Sequence, residues 1–133
     1  MIEMTCHCGD VRIEIEQRPD FVHDCNCSLC RKSGARWAYF APADVKVTGD
    51  TSRYVRTDKH DASARIHFCA SCGATTHFRL TASAIEKHGD TMMGVNMRLA
   101  NPTDLAGVEL RYPDGLGWSG EGAFAYYAEP ELL

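Results

Sequence analysis

Residues 64–80 read Ala64-Arg65-Ile66-His67-Phe68-Cys69-Ala70-Ser71-Cys72-Gly73-Ala74-Thr75-Thr76-His77-Phe78-Arg79-Leu80. Apolar and polar residues alternate up to Cys69 and again after Thr75, the period-2 pattern of half-buried strands. Between the two runs lies a C-x-x-C turn followed by glycine. Gly73 permits the left-handed backbone of a tight knuckle, which puts two sulfurs on one side of an ion. Strand, knuckle and returning strand make a ribbon-like hairpin.

A second pair of thiols lies near the start of the chain, in Cys6-His7-Cys8-Gly9, again followed by glycine. Asp10 to Glu16 comes next, with Val11, Ile13 and Ile15 alternating against Arg12, Glu14 and Glu16, and reads as a strand. Cys6, Cys8, Cys69 and Cys72 together supply four thiolates, a donor set that suits zinc or an iron–sulfur cluster. Zinc is favoured because paired knuckles are the hallmark of structural zinc ribbons. Joining the pairs closes a long loop and ties the first strand to the middle hairpin. Four sulfurs complete such a site, so His7 and His67 read as surface or packing residues.

The other three cysteines form the densest cluster, Cys25-Asn26-Cys27-Ser28-Leu29-Cys30. Zinc takes four ligands, and a catalytic zinc keeps one position for water or substrate. Three thiolates leave a divalent ion with net negative charge. That makes it a weaker Lewis acid than an ion held by neutral imidazoles, better suited to holding an incoming thiol as a thiolate than to making hydroxide. The chemistry expected of Cys25, Cys27 and Cys30 is therefore thiol chemistry, with a substrate sulfur as fourth ligand. Arg31, Lys32 and Arg36 follow at once and are candidates to attract an anionic thiol, or simply a solvated basic loop. The alternative is a second structural site closed by His23, Asp24, His60 or His77. His23, His60 and His77 are also the candidates for a general base.

The rest of the chain agrees with a small β domain. Short strands are expected at Phe21–Asp24, Trp37–Ala41, Val45–Thr48, Arg53–Arg56, Thr91–Met97 and Val108–Tyr112. A helical turn is expected in Arg31–Arg36, a short helix in Thr81–His88, and loop from Pro113 to Gly122. Met92, Met93 and Met97 read as core filling. The chain has 133 residues, 44% hydrophobic and 24% charged, which suits one globular domain spanning residues 1–133. A net charge of −4 gives no footprint for nucleic acid or an anionic membrane. No apolar run approaches the roughly 18 residues of a membrane span. The N-terminus has no signal-peptide pattern, so the expected location is the cytoplasm. Seven cysteines cannot all pair within one chain, and a reducing cytosol disfavours disulfides in any case.

At this point the pattern resembles a known family, the glutathione-dependent formaldehyde-activating enzymes, grouped with centromere protein V. The matching elements are Cys6-His7-Cys8-Gly9, then Cys25, Cys27-Ser28, Cys30-Arg31-Lys32 and Gly34-Ala35, then Phe68-Cys69, Cys72 and Gly73. The resemblance implies a mainly β fold of the β-tent type, a small zinc-binding domain of several short antiparallel sheets. It implies two zinc ions per chain: a structural one on Cys6, Cys8, Cys69 and Cys72, and a catalytic one on Cys25, Cys27 and Cys30. The implied activity is that of a carbon–sulfur lyase, run in reverse as condensation of formaldehyde with glutathione to S-hydroxymethylglutathione. The partners are then a small thiol such as glutathione and a small aldehyde, with a homo-oligomer left open. The sequence departs from the family in places. Asn26 stands where the family often has histidine, and Gly94-Val95-Asn96-Met97 and Arg111–Trp118 replace two family stretches that would line the pocket or its rim.

Gly115-Leu116-Gly117-Trp118-Ser119-Gly120 fits G-x-G-x-x-G, but the chain ends too soon for the acidic residue a dinucleotide site needs, so a glycine-rich turn is expected. Two function classes stand side by side. One is a zinc-dependent carbon–sulfur lyase acting on thiol–aldehyde adducts. The other is a non-catalytic zinc-binding interaction module with two structural sites.

Overall fold

The computed structural model describes residues 1–127. The architecture is mainly β, as expected. Its strands are β1 (Ile2–Thr5), β2 (Arg12–Ile15), β3 (Phe21–His23), β4 (Trp37–Phe40), β5 (Val45–Thr48), β6 (Thr51–Val55), β7 (Ala64–Cys69), β8 (Thr75–Leu80), β9 (Met93–Asn96), β10 (Glu109–Pro113) and β11 (Tyr126–Tyr127). Two α-helices, α1 (Ser28–Ser33) and α2 (Ala82–His88), and three 3-10 turns complete it. Among the described residues, no helix is long and apolar enough to cross a membrane.

The strands form two sheets. A small sheet has the order β1-β2-β5, and a large one the order β11-β10-β3-β4-β9-β8-β7-β6. The pairs are antiparallel except β3 with β10, which run parallel. Alternation in each strand sorts its residues between two faces. Ile2 and Met4 of β1, Ile13 and Ile15 of β2, Val22 of β3, Ala38 of β4 and Met93 and Val95 of β9 make one core between the sheets. Ile13, Ile15 and Val95 are completely buried there, and each such side chain contributes about 1.5–3 kcal/mol by leaving water. The opposite face of the large sheet carries Trp37, Ile66, Phe78 and Leu80, covered by Leu29 and Cys30 of α1 and Ala84 and Ile85 of α2.

Two boundaries differ from the sequence reading in ways that matter for function. A strand, β1, precedes the first knuckle, so Cys6–Gly9 is the turn of a β1–β2 hairpin, with Thr5 opposite Arg12. Both cysteine pairs of the outer cluster therefore sit in hairpin turns. The helix expected in Arg31–Arg36 begins instead at Ser28, inside the triplet, with Cys27 as its N-cap and Gly34 as its left-handed C-cap. A cysteine serves as cap because its sulfur accepts the Cys30 amide at 3.3 Å, the role an Asp or Ser oxygen usually takes.

Candidate metal centres and active site

The outer four thiols converge. The Sγ atoms of Cys6, Cys8, Cys69 and Cys72 all lie within 4.8 Å of one another. Cys6 to Cys8 and Cys8 to Cys69 are each 3.6 Å, close to the roughly 3.8 Å edge of a tetrahedron with 2.3 Å metal–sulfur bonds. Gly9 and Gly73 have φ of +86° and +78°, which lets each knuckle fold back on itself. Backbone amides point at the sulfurs: Val11 N donates to Cys6 Sγ at 3.2 Å, and Ser71 N and Cys72 N donate to Cys69 Sγ at 3.4 and 3.5 Å. Burial pushes the Cys6 thiol up, but the Val11 amide and the Cys8 and Cys69 thiols outweigh it and the net shift is downward. The Ala74 and Cys8 amides bring Cys72 down to about 6. The amides at Cys6 and Cys72 favour thiolate, the form that binds metal, whereas Cys8, despite the Asp10 amide, is pushed up to about 12 by burial and by the three neighbouring thiols.

The central three thiols also converge, with Sγ atoms mutually within 4.8 Å. Cys25 and Cys27 are buried and Cys30 half-buried. All seven cysteines are free, so neither cluster is a disulfide framework. Among the described residues no histidine, carboxylate or further cysteine joins the trio. Each candidate fourth ligand is engaged elsewhere or exposed. Asp24 accepts from Arg36 Nε at 2.9 Å. His77 pairs its Nδ1 with Thr76 Oγ1 and stacks on His67, with ring centroids 4.3 Å apart. His60 lies in an exposed loop. His23 spans two phenols, Nδ1 2.9 Å from Tyr39 Oη and Nε2 2.9 Å from Tyr126 Oη. Burial first, and then the Arg111 charge, lowers its pKa to about 4, so the ring is neutral, donating from one nitrogen and accepting at the other.

Two groups touch the trio that the sequence reading did not single out. Trp37 Nε1 donates to Cys30 Sγ at 3.4 Å. Arg56, in the loop after β6, donates from Nη2 to Ser28 Oγ at 3.2 Å, next to Cys27. The Cys27 thiol is held well below its usual range, by the Cys25 and Cys30 thiols foremost and by the Arg56 charge as well. No local pattern flags Arg56; only pairing of β6 with β7 brings it there. Of the expected basic residues, Arg31 and Lys32 are exposed on the last turn of α1, and Arg36 is tied to Asp24. Tyr39 projects on the same side of the sheet as Trp37, and its phenol is pushed up by burial and by charge on Cys30 and Cys25.

Of the two departures from the family pattern, one is structural. Asn96 is buried and acts as a brace: Oδ1 accepts the Arg36 and Arg98 amides, each at 3.1 Å, and Nδ2 donates to Thr75 O at 2.8 Å. The other, residues 111–118, runs past the trio.

A family model described as glutathione-dependent formaldehyde-activating enzyme matches residues 1–104. The chain belongs to this family. Within the matched region lie all seven cysteines, hence both thiol clusters. A crystal structure of a Rhodobacter sphaeroides protein is similar, at 32% identity and a TM-score of 0.60, over 82% of this chain and 99% of that one. The formaldehyde-activating family thus carries an enzyme-associated, glutathione-related function onto a fold whose two clusters could hold metal ions.

Proposed function

We propose that residues 1–133 form a single zinc-dependent domain that acts as a carbon–sulfur lyase on small thiol–aldehyde adducts, joining glutathione or a similar thiol to formaldehyde or cleaving the product. The observation that supports this most is the inequality of the two clusters: four thiols converge in one and three in the other, with no further donor beside the three among the described residues. Both donor sets are convergent soft thiolates, which suit zinc, and the outer four have sulfur–sulfur distances near those of a tetrahedral site. Cys6, Cys8, Cys69 and Cys72 would hold the structural ion and Cys25, Cys27 and Cys30 the catalytic one. Zinc held by Cys25, Cys27 and Cys30 would favour the thiolate form of an incoming thiol.

The chain's own residues do the remainder. Arg56 and the Trp37 indole offset negative charge on the sulfurs. Tyr39, whose Oη meets His23 Nδ1 at 2.9 Å, is the proton donor, with His23 in the tautomer that carries its proton on Nδ1. In the forward direction the thiolate sulfur forms a bond to the aldehyde carbon, and the carbonyl π pair moves onto oxygen. That oxygen takes the proton from Tyr39 Oη, and the proton lost by the thiol restores the phenol. Thiol and aldehyde thereby combine with no external oxidant or reductant.

The test is metal stoichiometry with thiol titration. The metal-replete protein should hold one ion per cluster, and cobalt in the trio alone should change its absorption when millimolar glutathione is added. Formation of S-hydroxymethylglutathione should accompany this. Two inert ions and no turnover with any small thiol would instead favour an interaction module.

A further inference from the structure

The glycine-rich turn left without a role by its sequence motif lies directly on the trio. The chain leaves β10 at Pro113 and turns through Asp114–Gly117. A Cβ added at Gly115 would stand 2.3 Å from Cys25 Sγ and 3.1 Å from Cys27 Cβ, so only the absence of a side chain lets the backbone come this close. The turn is pinned by the residue between the first two trio cysteines. Asn26 Nδ2 donates to Asp114 Oδ1 at 3.0 Å, and Leu116 N donates to Asn26 Oδ1 at 2.8 Å. Asp114 Oδ1 also accepts Gly117 N at 3.1 Å, and Asp114 N donates to Ala125 O at 2.8 Å. Farther on, Trp118 packs on Phe124 with ring centroids 4.5 Å apart, and Phe124 meets the edge of His23.

We propose that the Asn26–Asp114 clamp makes Gly115 a steric filter at the Cys25–Cys27 edge of the trio, limiting the bulk around the sulfur of the thiol that can enter. This rests on the reading of the trio as a thiol site. Several observations meet here. Asn26 spends both ends of its amide on the turn. The Gly115 backbone occupies space beside Cys25 that a ligand substituent would need. Asp114 and Gly115 lie beyond residue 104, where the family match ends, while Asn26 and the trio lie within it. Asn26 and Asp114 are positioning residues; Gly115 is the contact. The ligand class that suits such an edge is a primary thiol, with a CH₂ next to sulfur, rather than a tertiary one.

The experiment compares wild type, Asp114→Ala and Asp114→Asn. In cobalt-loaded protein, binding of 2-mercaptoethanol and of penicillamine, a tertiary thiol, is followed by absorption. Wild type should prefer the primary thiol by about tenfold or more, as expected for crowding by one or two methyl groups. Asp114→Ala should shrink that preference by improving penicillamine binding, with 2-mercaptoethanol unchanged. Asp114→Asn keeps an Oδ1 acceptor and should behave as wild type. A second readout needs no bound thiol. In protein freed of the trio's ion alone, with the outer cluster still loaded, mass spectrometry follows alkylation of Cys25 by N-ethylmaleimide against that of half-buried Cys30. The Cys25 to Cys30 rate ratio should rise several-fold in Asp114→Ala at an unchanged melting temperature. If neither thiol binds any variant while this ratio rises, the cover over Cys25 stands and the thiol-site reading fails. An unchanged ratio together with an unchanged thiol preference would overturn the filter.

Discussion

Arg56 and Asp58 form a bidentate ion pair, Nε to Oδ1 at 2.7 Å and Nη2 to Oδ2 at 2.8 Å, that holds the guanidinium against the start of α1. The Arg56 side chain is only 13% exposed although its loop is not. The pairing raises the Arg56 pKa further and lowers that of Asp58, so both stay charged. A fixed positive charge beside Cys27 offsets the charge of three thiolates. Arg56→Gln should therefore weaken metal retention at the trio by about tenfold or more, the usual effect of removing a group that supports metal ligands. A chelator competition resolves the two sites. Loss from both clusters alike would mean that Arg56 acts on the fold and not on the trio.

Cys27→Ser and Cys69→Ser should separate the clusters. Cys69 is 1% exposed and joins the β7–β8 hairpin to the β1–β2 hairpin, so its loss removes a cross-link between distant parts of the chain and should lower the melting temperature sharply. Cys27 caps a six-residue helix; serine can still cap, and the fold should melt near the wild-type temperature. Turnover should be abolished and one metal lost. Equal effects on melting and metal content would contradict the division of labour.

Tyr39→Phe removes the phenol oxygen that faces His23 Nδ1 and leaves the ring packing with Phe78 intact. Metal content should not change. Steady-state kinetics should show kcat down by about a hundredfold or more with KM for the thiol little altered, as when a proton donor is lost. A variant with full kcat would assign the proton to another group.

Asp61, in the β6–β7 loop, reports on acid stability. It pairs with Lys87 and accepts from Ser83 Oγ at 2.6 Å, clamping the β6–β7 loop to α2. The Lys87 and Ser83 contacts hold its carboxyl below the usual carboxylate range. A depressed folded-state pKa contributes stability above the unfolded value, and that contribution is lost as pH falls through the folded one. Wild type should thus melt above Asp61→Asn at neutral pH, and the gap should close in strongly acidic buffer. A gap that widens with acid would reverse the sign of this linkage.

Much of the site was legible in local sequence because thiol clustering is a local property. The C-x-x-C-Gly and C-x-C-Gly turns place two sulfurs each by backbone geometry alone, and the alternation around Ile66 and Phe78 announces the hairpin that carries Cys69 and Cys72. The short strand β1 leaves no clear signal because four residues hold only two apolar positions, Ile2 and Met4, too few to mark a period. The start of α1 is not legible locally because cysteine is not among the usual caps.

What the amino-acid order determined by itself was the donor inventory, the split of seven thiols into two pairs and a triplet, and the mainly β character, since each follows from spacing over a few residues. Only the tertiary structure decided that the two pairs meet and that, among the described residues, no further ligand joins the triplet. It alone set Arg56, Trp37 and Tyr39 around that triplet and laid Gly115 on Cys25. Those relations join residues as many as 90 positions apart, through strand order and the parallel β3–β10 pairing. Contacts of that separation depend on how whole sheets pack, which no local periodicity encodes.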